Sequence, residues 1–94
     1  MCGCILGGKE RKLLVTGKTM KLVEVTLKKG TREGFHTHDY EQVSYVAEGE
    51  IEIITDRERN VYRKGEGFCI PPNVKHQCVA VDDSIVVVVY GQIN

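Results

Sequence analysis

Apolar and polar residues alternate with a period of two in several short segments of the chain. The clearest example is Glu50-Ile51-Glu52-Ile53, in which the isoleucines share one face of an extended chain and the glutamates share the other. Glycine, proline or charged turns separate such segments at intervals of about eight to twelve residues. The pattern predicts seven or eight strands, among them residues 20–27, 43–47, 50–53, 61–63, 68–70, 76–81 and 84–90.

The strand pattern indicates an all-β fold, because no stretch has a sustained apolar stripe at helical spacing. Residues 84–90 are apolar on both faces, which predicts a central strand. Short strands at this spacing are typical of a β-sandwich or a small barrel. We expect a single domain over residues 1–94, with residues 1–11 as a loose N-terminal arm or an edge strand.

Composition and charge narrow the classes of function. The 94 residues carry 13 Lys and Arg against 13 Asp and Glu, so no basic surplus favours nucleic-acid binding. The longest apolar run, residues 85–89, is far too short for a membrane span. The segment after Met1 has no apolar signal region, so a cytoplasmic protein is expected.

The four cysteines do not form a zinc-binding pattern. Cys2 and Cys4 are one residue apart, and the chain has no C-x2-C pair. We expect four free thiols, with Cys69 and Cys78 buried as small apolar residues.

The three histidines are the most informative residues. His36 and His38 flank Thr37, and residues i and i+2 of an extended chain project to the same side. Such a pair presents two imidazoles to one point, which suits a metal ion. His76 follows a proline-rich turn and comes from a distant strand that can complete the site.

The residues around the histidines resemble the two motifs of the cupin superfamily. The first motif is Gly, five residues, His-x-His, three or four residues, Glu, six residues, Gly; the second is Gly, five residues, Pro-x-Gly, two residues, His, three residues, Asn. Here the same spacings place Gly30, His36, His38, Gln42 and Gly49 in the first, and Gly65, Pro71, Asn73, His76 and Ala80 in the second. The resemblance implies a small antiparallel jelly-roll barrel, the double-stranded β-helix of cupins, with all three histidines at ligand positions.

Three positions depart from the motifs. Asn73 replaces a turn glycine and tolerates positive φ, whereas Ala80 replaces an asparagine. Gln42 replaces the ligand glutamate, so the resemblance implies a site of His36, His38, Gln42 and His76 for one divalent transition metal (Ni, Fe, Mn or Zn). A shift of one residue would offer Glu41 instead, but the spacing of Gln42 fits better.

The motif combination is similar to the small cupins that linearise unsaturated uronates, which implies Lewis-acid ring opening of a sugar acid. A non-catalytic binding module for a small ligand and a three-histidine dioxygenase are the alternatives. We expect a homodimer, because paired edges protect a sheet from aggregation. Catalytic acids and bases are not assigned. Arg63 and Tyr90 are candidate substrate-facing groups, although a solvated arginine and a core tyrosine are the simpler interpretations. A solvated loop is the simplest interpretation of the charged cluster Lys28, Lys29, Arg32 and Glu33.

Overall fold

The computed structural model describes residues 5–6 and 8–91, which form ten β-strands. The strands are β1 (Ile5–Leu6), β2 (Lys9–Thr16), β3 (Met20–Leu27), β4 (Arg32–Glu33), β5 (Gln42–Glu48), β6 (Glu50–Thr55), β7 (Arg59–Arg63), β8 (Gly67–Ile70), β9 (His76–Ala80) and β10 (Ser84–Gly91). The seven predicted strands correspond to β3 and β5 to β10. Within the described ranges, no helix is long and apolar enough to cross a membrane.

Two five-stranded antiparallel sheets form the barrel. The first sheet has the strand order β1-β4-β9-β6-β7, and the second has the order β2-β3-β10-β5-β8. Strand β10 lies between β3 and β5, as its two apolar faces predicted. The all-β antiparallel fold is therefore confirmed.

The core lies between the inner faces of the two sheets. Alternate residues of each strand point inward, and the burial pattern of β8, exposed-buried-exposed-buried, shows this period directly. The buried cluster consists of Val23, Val25, Leu27, Val46, Ile51, Ile53, Phe68, Ile70, Ala80, Val86 and Val88. Cys69 lies between Phe68 and Ile70 and therefore faces outward, so the prediction that it is buried is wrong. Cys78 is half-buried against the core, and Cys2 and Cys4 lie outside the described residues.

Four turn positions of the two motifs have positive φ. Gly30, Gly49 and Gly65 have φ angles of 85°, 88° and 89°, and Asn73 has a φ of 63°. Asn73 is the only non-glycine residue with positive φ in the described part of the chain. Asparagine thus fills the turn where the motif has glycine, as the sequence predicted.

Residues 5–6 and 9–11 of the predicted N-terminal arm lie in strands β1 and β2. Strand β2 pairs with β3 from Lys9 onward and forms one edge of the second sheet. The sequence did not indicate this eight-residue strand, because nearly all of it is exposed and its polar and apolar residues do not alternate. Its inward side chains, Lys9 and Arg11, lie opposite Leu27 and Val25 of β3.

Candidate metal centre

The backbone joins the two segments that carry the histidines. His36 and His76 form an antiparallel bridge in which each N–H donates to the other residue's carbonyl oxygen at 3.0 Å. Directly paired residues in an antiparallel ladder have side chains on the same face. The two imidazole rings accordingly lie 4.4 Å apart, centroid to centroid.

His38 joins this pair because of the alternation of the extended chain. Thr37 is exposed, whereas His36 and His38 are half-buried and line the same cavity. The His38 ring centroid lies 5.1 Å from that of His76 and 6.1 Å from that of His36. The backbone N–H of Asn73 donates to the carbonyl oxygen of His38 at 2.8 Å, which connects the turn before β9 to the first motif.

The three imidazoles offer ligand nitrogen atoms that lie within 4.8 Å of one another. In each ring Nδ1 is hydrogen-bonded to a backbone carbonyl oxygen, which is only an acceptor, so Nδ1 must carry the proton. The accepting residues are Gly34 for His36, Tyr40 for His38 and Val74 for His76, at 2.9, 2.9 and 2.8 Å. In the neutral imidazole that binds a metal, each Nε2 therefore carries the lone pair. Fixing the tautomer by a hydrogen bond at the other ring nitrogen is how proteins orient histidines that bind metals.

Gln42 lies beside this cluster. Its Oε1 is 3.1 Å from Nε2 of His38, and its Nε2 donates to the hydroxyl of the buried Ser44 at 3.2 Å. With the amide nitrogen on Ser44, the amide oxygen lies toward His38, so that this oxygen and the Nε2 lone pair of a neutral His38 face each other across a short gap. A cation between them satisfies both lone pairs. The donor set therefore fits a metal ion on the chemistry of its own atoms.

Glu41, the alternative fourth ligand, lies elsewhere. Its side chain is exposed and accepts a hydrogen bond from the Sγ of Cys69 at 3.6 Å. Glu41 is absent from the lining of the cavity that contains the histidines, whereas Gln42 is part of it. The structure therefore brings Gln42, and not Glu41, to the three imidazoles.

Burial favours the neutral form of His76. Its side chain is 2% exposed, and burial lowers its pKa below the usual value, with a smaller contribution from the nearby His36 and His38. A neutral imidazole is the form that binds a metal ion.

An aromatic wall borders the histidines on one side. The Tyr40 ring stacks on His38 with centroids 4.3 Å apart and an angle of 7° between the planes. Tyr90 meets Tyr40 edge to face at 5.5 Å, and the guanidinium carbon of Arg11 lies 5.5 Å from the Tyr90 ring centroid. Tyr90 therefore lines the cavity, whereas Arg63 is exposed, pairs with Glu50 at 3.3 Å and takes no part in the lining.

A buried ion pair also lines the cavity. Lys9 and Glu33 form a salt bridge, and their side chains are only 12% and 10% exposed. The prediction that Glu33 belongs to a solvated loop is wrong, because β4 pairs with β9 and turns Glu33 toward the cavity. Burial, reinforced by Glu33, raises the pKa of the neighbouring Cys78 thiol to about 12. Lys9 and Arg11 are cavity residues that sequence reasoning missed; their only signal is the spacing of two cations at i and i+2.

Comparison with known proteins gives consistent relatives. The family model described as Cupin domain (Cupin_2) matches residues 23–90. The pectin degradation protein KdgF of Dickeya dadantii (strain 3937) is 27% identical over 82 residues, which cover 86% of this chain and 74% of that protein. Two solved structures have TM-scores of 0.85. An RmlC-like cupin from Shewanella frigidimarina NCIMB 400 is 30% identical, and the match covers 100% of this chain and 85% of that chain. KdgF from Halomonas sp. is 26% identical, and the match covers 93% of this chain and 81% of that chain.

Proposed function

The chain belongs to the cupin family, and from this membership we propose that it is a metal-dependent cupin that opens the ring of a small sugar acid. The observation that carries the proposal is the convergence of three imidazoles whose Nδ1 atoms all donate to backbone carbonyls, so that three Nε2 lone pairs remain for one ion. We assign His36, His38 and His76 as ligands, with the amide oxygen of Gln42 as the fourth.

The ligand set is electrically neutral. One divalent transition metal (Ni, Fe, Mn or Zn) bound there would keep its double charge and polarise the oxygen atoms of an anionic ligand. Arg11 adds a further positive charge at the cavity wall, which also favours an anion.

The substrate class is supported by the relatives and by the reaction's chemistry. Pectin is a polymer of uronic acids, and two of the similar proteins carry the name KdgF, one as a pectin degradation protein. Opening an unsaturated uronate breaks the bond between the ring oxygen and the anomeric carbon. The anomeric hydroxyl loses a proton to give a carbonyl, and the released enol takes a proton at carbon to give a ketone. The reaction is an isomerisation that needs no co-reactant.

The chain must move those two protons. Glu33 is the only carboxylate among the described residues that line the cavity, and Tyr40 carries a phenolic hydroxyl beside His38. We assign proton exchange with the ligand to the Tyr40 hydroxyl, which can accept one proton and donate the other, because Glu33 is held in the buried pair with Lys9.

The test is a spectroscopic assay with a monomeric unsaturated uronate. Opening to the keto form removes the conjugated double bond, so the ultraviolet absorbance of the substrate should decay. Chelation should abolish the decay, and re-addition of metal should restore it. His76→Ala should be inactive, whereas Glu41→Gln, which alters a carboxylate outside the cavity, should retain activity.

Two outcomes would favour the alternatives, a non-catalytic binding module or a three-histidine dioxygenase. Tight binding of the uronate without loss of absorbance by the metal-loaded protein would indicate a binding module. Oxygen consumption by an iron-loaded protein would indicate a dioxygenase.

We also propose that the protein is a homodimer in which a second copy covers the outer face of the second sheet. Register places Val15, Leu22, Val89, Val43 and Cys69 in one row across all five strands of this face. Val15 and Val43 are 58% and 48% exposed. A continuous apolar row on an exposed face is typical of a protein interface.

Light scattering at micromolar concentration tests the dimer. Val43→Glu should convert it to a monomer, whereas Val61→Glu, an exposed position on β7 of the first sheet, should leave the mass unchanged. A monomeric unaltered protein would refute the proposal.

A further inference from the structure

The cavity contains two cations and one carboxylate among its described lining residues. The cations are Lys9 and Arg11, both on β2, and the carboxylate is Glu33. The chain as a whole has a net charge of zero, so this concentration of positive charge is local. A cationic cavity in a neutral protein attracts anionic ligands.

The charge of Lys9 is already compensated. Its ammonium group forms the buried salt bridge with Glu33, and both side chains are largely removed from solvent. Separating such a pair would leave an unpaired buried charge, which is strongly unfavourable. Lys9 is therefore poorly suited to bind the charged group of a ligand.

Arg11 is in a different position. It is exposed, and none of the ion pairs among the described residues includes it. The cation–π contact with Tyr90 positions the guanidinium at the cavity wall without using its N–H donors. Those donors form a planar fork that matches the two oxygen atoms of a carboxylate.

The aromatic wall connects this guanidinium to the histidines. The Tyr90 ring contacts the Arg11 guanidinium and also lies edge to face with the His38 ring, with centroids 6.4 Å apart. A ligand lying along Tyr90 can therefore present oxygen atoms to the histidine cluster at one end and an acid group to Arg11 at the other.

We propose that Arg11 binds the carboxylate of the ligand and selects sugar acids over neutral sugars. This inference rests on the proposed function, because it assigns the recognition of the acid group to one residue. Arg11 is a specificity-determining residue on the edge strand β2. It is separate from the proposed metal ligands and from the proposed site of proton exchange.

The experiment compares two probes and three variants by isothermal titration of the metal-loaded protein. The probes are D-galacturonate and D-galactose, which differ at C6 in a carboxylate against a hydroxymethyl group. Arg11→Gln should weaken galacturonate binding by about ten- to a hundredfold, since hydrogen bonds to charged groups are worth that much. It should leave galactose binding and metal content unchanged. Arg11→Lys keeps the positive charge but loses the planar pair of donors. Its galacturonate affinity should lie between those of the unaltered protein and Arg11→Gln.

Lys21→Gln is the matched control. The Lys21 ammonium lies 5.7 Å from the same Tyr90 ring but does not line the cavity. Its removal should leave galacturonate affinity within about twofold of the unaltered protein, a difference near the limit of what surface charges contribute.

Each result decides between the proposals. If Arg11→Gln and Lys21→Gln lost galacturonate affinity equally, the effect would be a long-range attraction between positive charge and the anion. That result would overturn the assignment of Arg11. Unchanged galacturonate affinity in Arg11→Gln would also overturn the assignment of Arg11. The proposed function would survive that result, provided that the unaltered protein prefers galacturonate over galactose. If the unaltered protein itself did not prefer galacturonate over galactose, the sugar-acid function would fail, and the role of Arg11 with it.

Discussion

The sharpest test of the proposed metal centre is Gln42→Glu, which replaces the neutral amide by a carboxylate. The amide oxygen lies 3.1 Å from Nε2 of His38, so the introduced carboxylate would adjoin the same ion. The change is nearly isosteric. The buried Ser44 hydroxyl, which now accepts from the amide, can rotate and donate to the carboxylate instead.

The magnitude follows from Coulomb's law. A carboxylate about 4 Å from a divalent ion gains about 8 kcal/mol at an effective dielectric constant of about 20. Loss of carboxylate hydration offsets most of this gain. If about a fifth survives, the metal binds at least about tenfold more tightly, which corresponds to roughly 1.4 kcal/mol.

Isothermal titration of the metal-free protein with nickel or zinc measures this change. Turnover of an anionic substrate should move the other way, because the added negative charge weakens the attraction of the site for the substrate. Glu41→Gln is the control at the neighbouring exposed position and should bind metal as the unaltered protein does. Unchanged metal affinity in Gln42→Glu, or weakened affinity in Glu41→Gln, would refute the placement of the fourth ligand.

Three further predictions concern binding and stability. His76→Ala should lose most bound metal in elemental analysis, and its melting temperature should no longer respond to added metal; full metal content would exclude His76 as a ligand. In denaturant unfolding, Gly65→Ala should cost about 1–2 kcal/mol for its positive φ alone, since nothing lies within 4 Å of the added Cβ. Gly49→Ala should cost about 1–3 kcal/mol more than Gly65→Ala, because its Cβ would lie 2.2 Å from the carbonyl oxygen of Asp83. Equal losses of unfolding free energy in the two variants would contradict this clash. Metal-free protein should lose stability as pH falls below 6.5, because the lowered pKa of His76 lets the unfolded chain bind the proton more readily; His76→Ala should lack that part of the pH dependence.

Sequence reasoning located the strands that have apolar residues at every second position or along both faces. Strand β6 alternates in the sequence because its isoleucines pack inward and its glutamates meet water, and β10 is apolar on both faces because it lies at the centre of its sheet. Strand β2 has no such pattern of apolar residues, since almost all of its residues are exposed. Its existence depends on backbone pairing with β3, which leaves no mark in the order of the side chains.

Some residues of the candidate site could likewise be predicted from the sequence, and others could not. Local spacing brings His36 and His38 together, and motif spacing indicated Gln42 and His76. The contacts of Lys9 and Arg11 with the cavity depend on which strand β2 joins, and those of Glu33 depend on the pairing of β4 with β9. No local pattern encodes either pairing, so a charged residue facing a cavity cannot be distinguished in the sequence from one facing solvent.

The bridge between His36 and His76 has a consequence for folding kinetics. The two residues are far apart in the chain, and their reciprocal hydrogen bonds form only when the segment before β5 meets β9. Such long-range pairings are costly in chain entropy. If they form after the transition state, a metal that needs all three histidines cannot bind until the barrier has been crossed. We then expect bound metal to slow unfolding and leave the folding rate nearly unchanged, which would make the site a clamp on the native state.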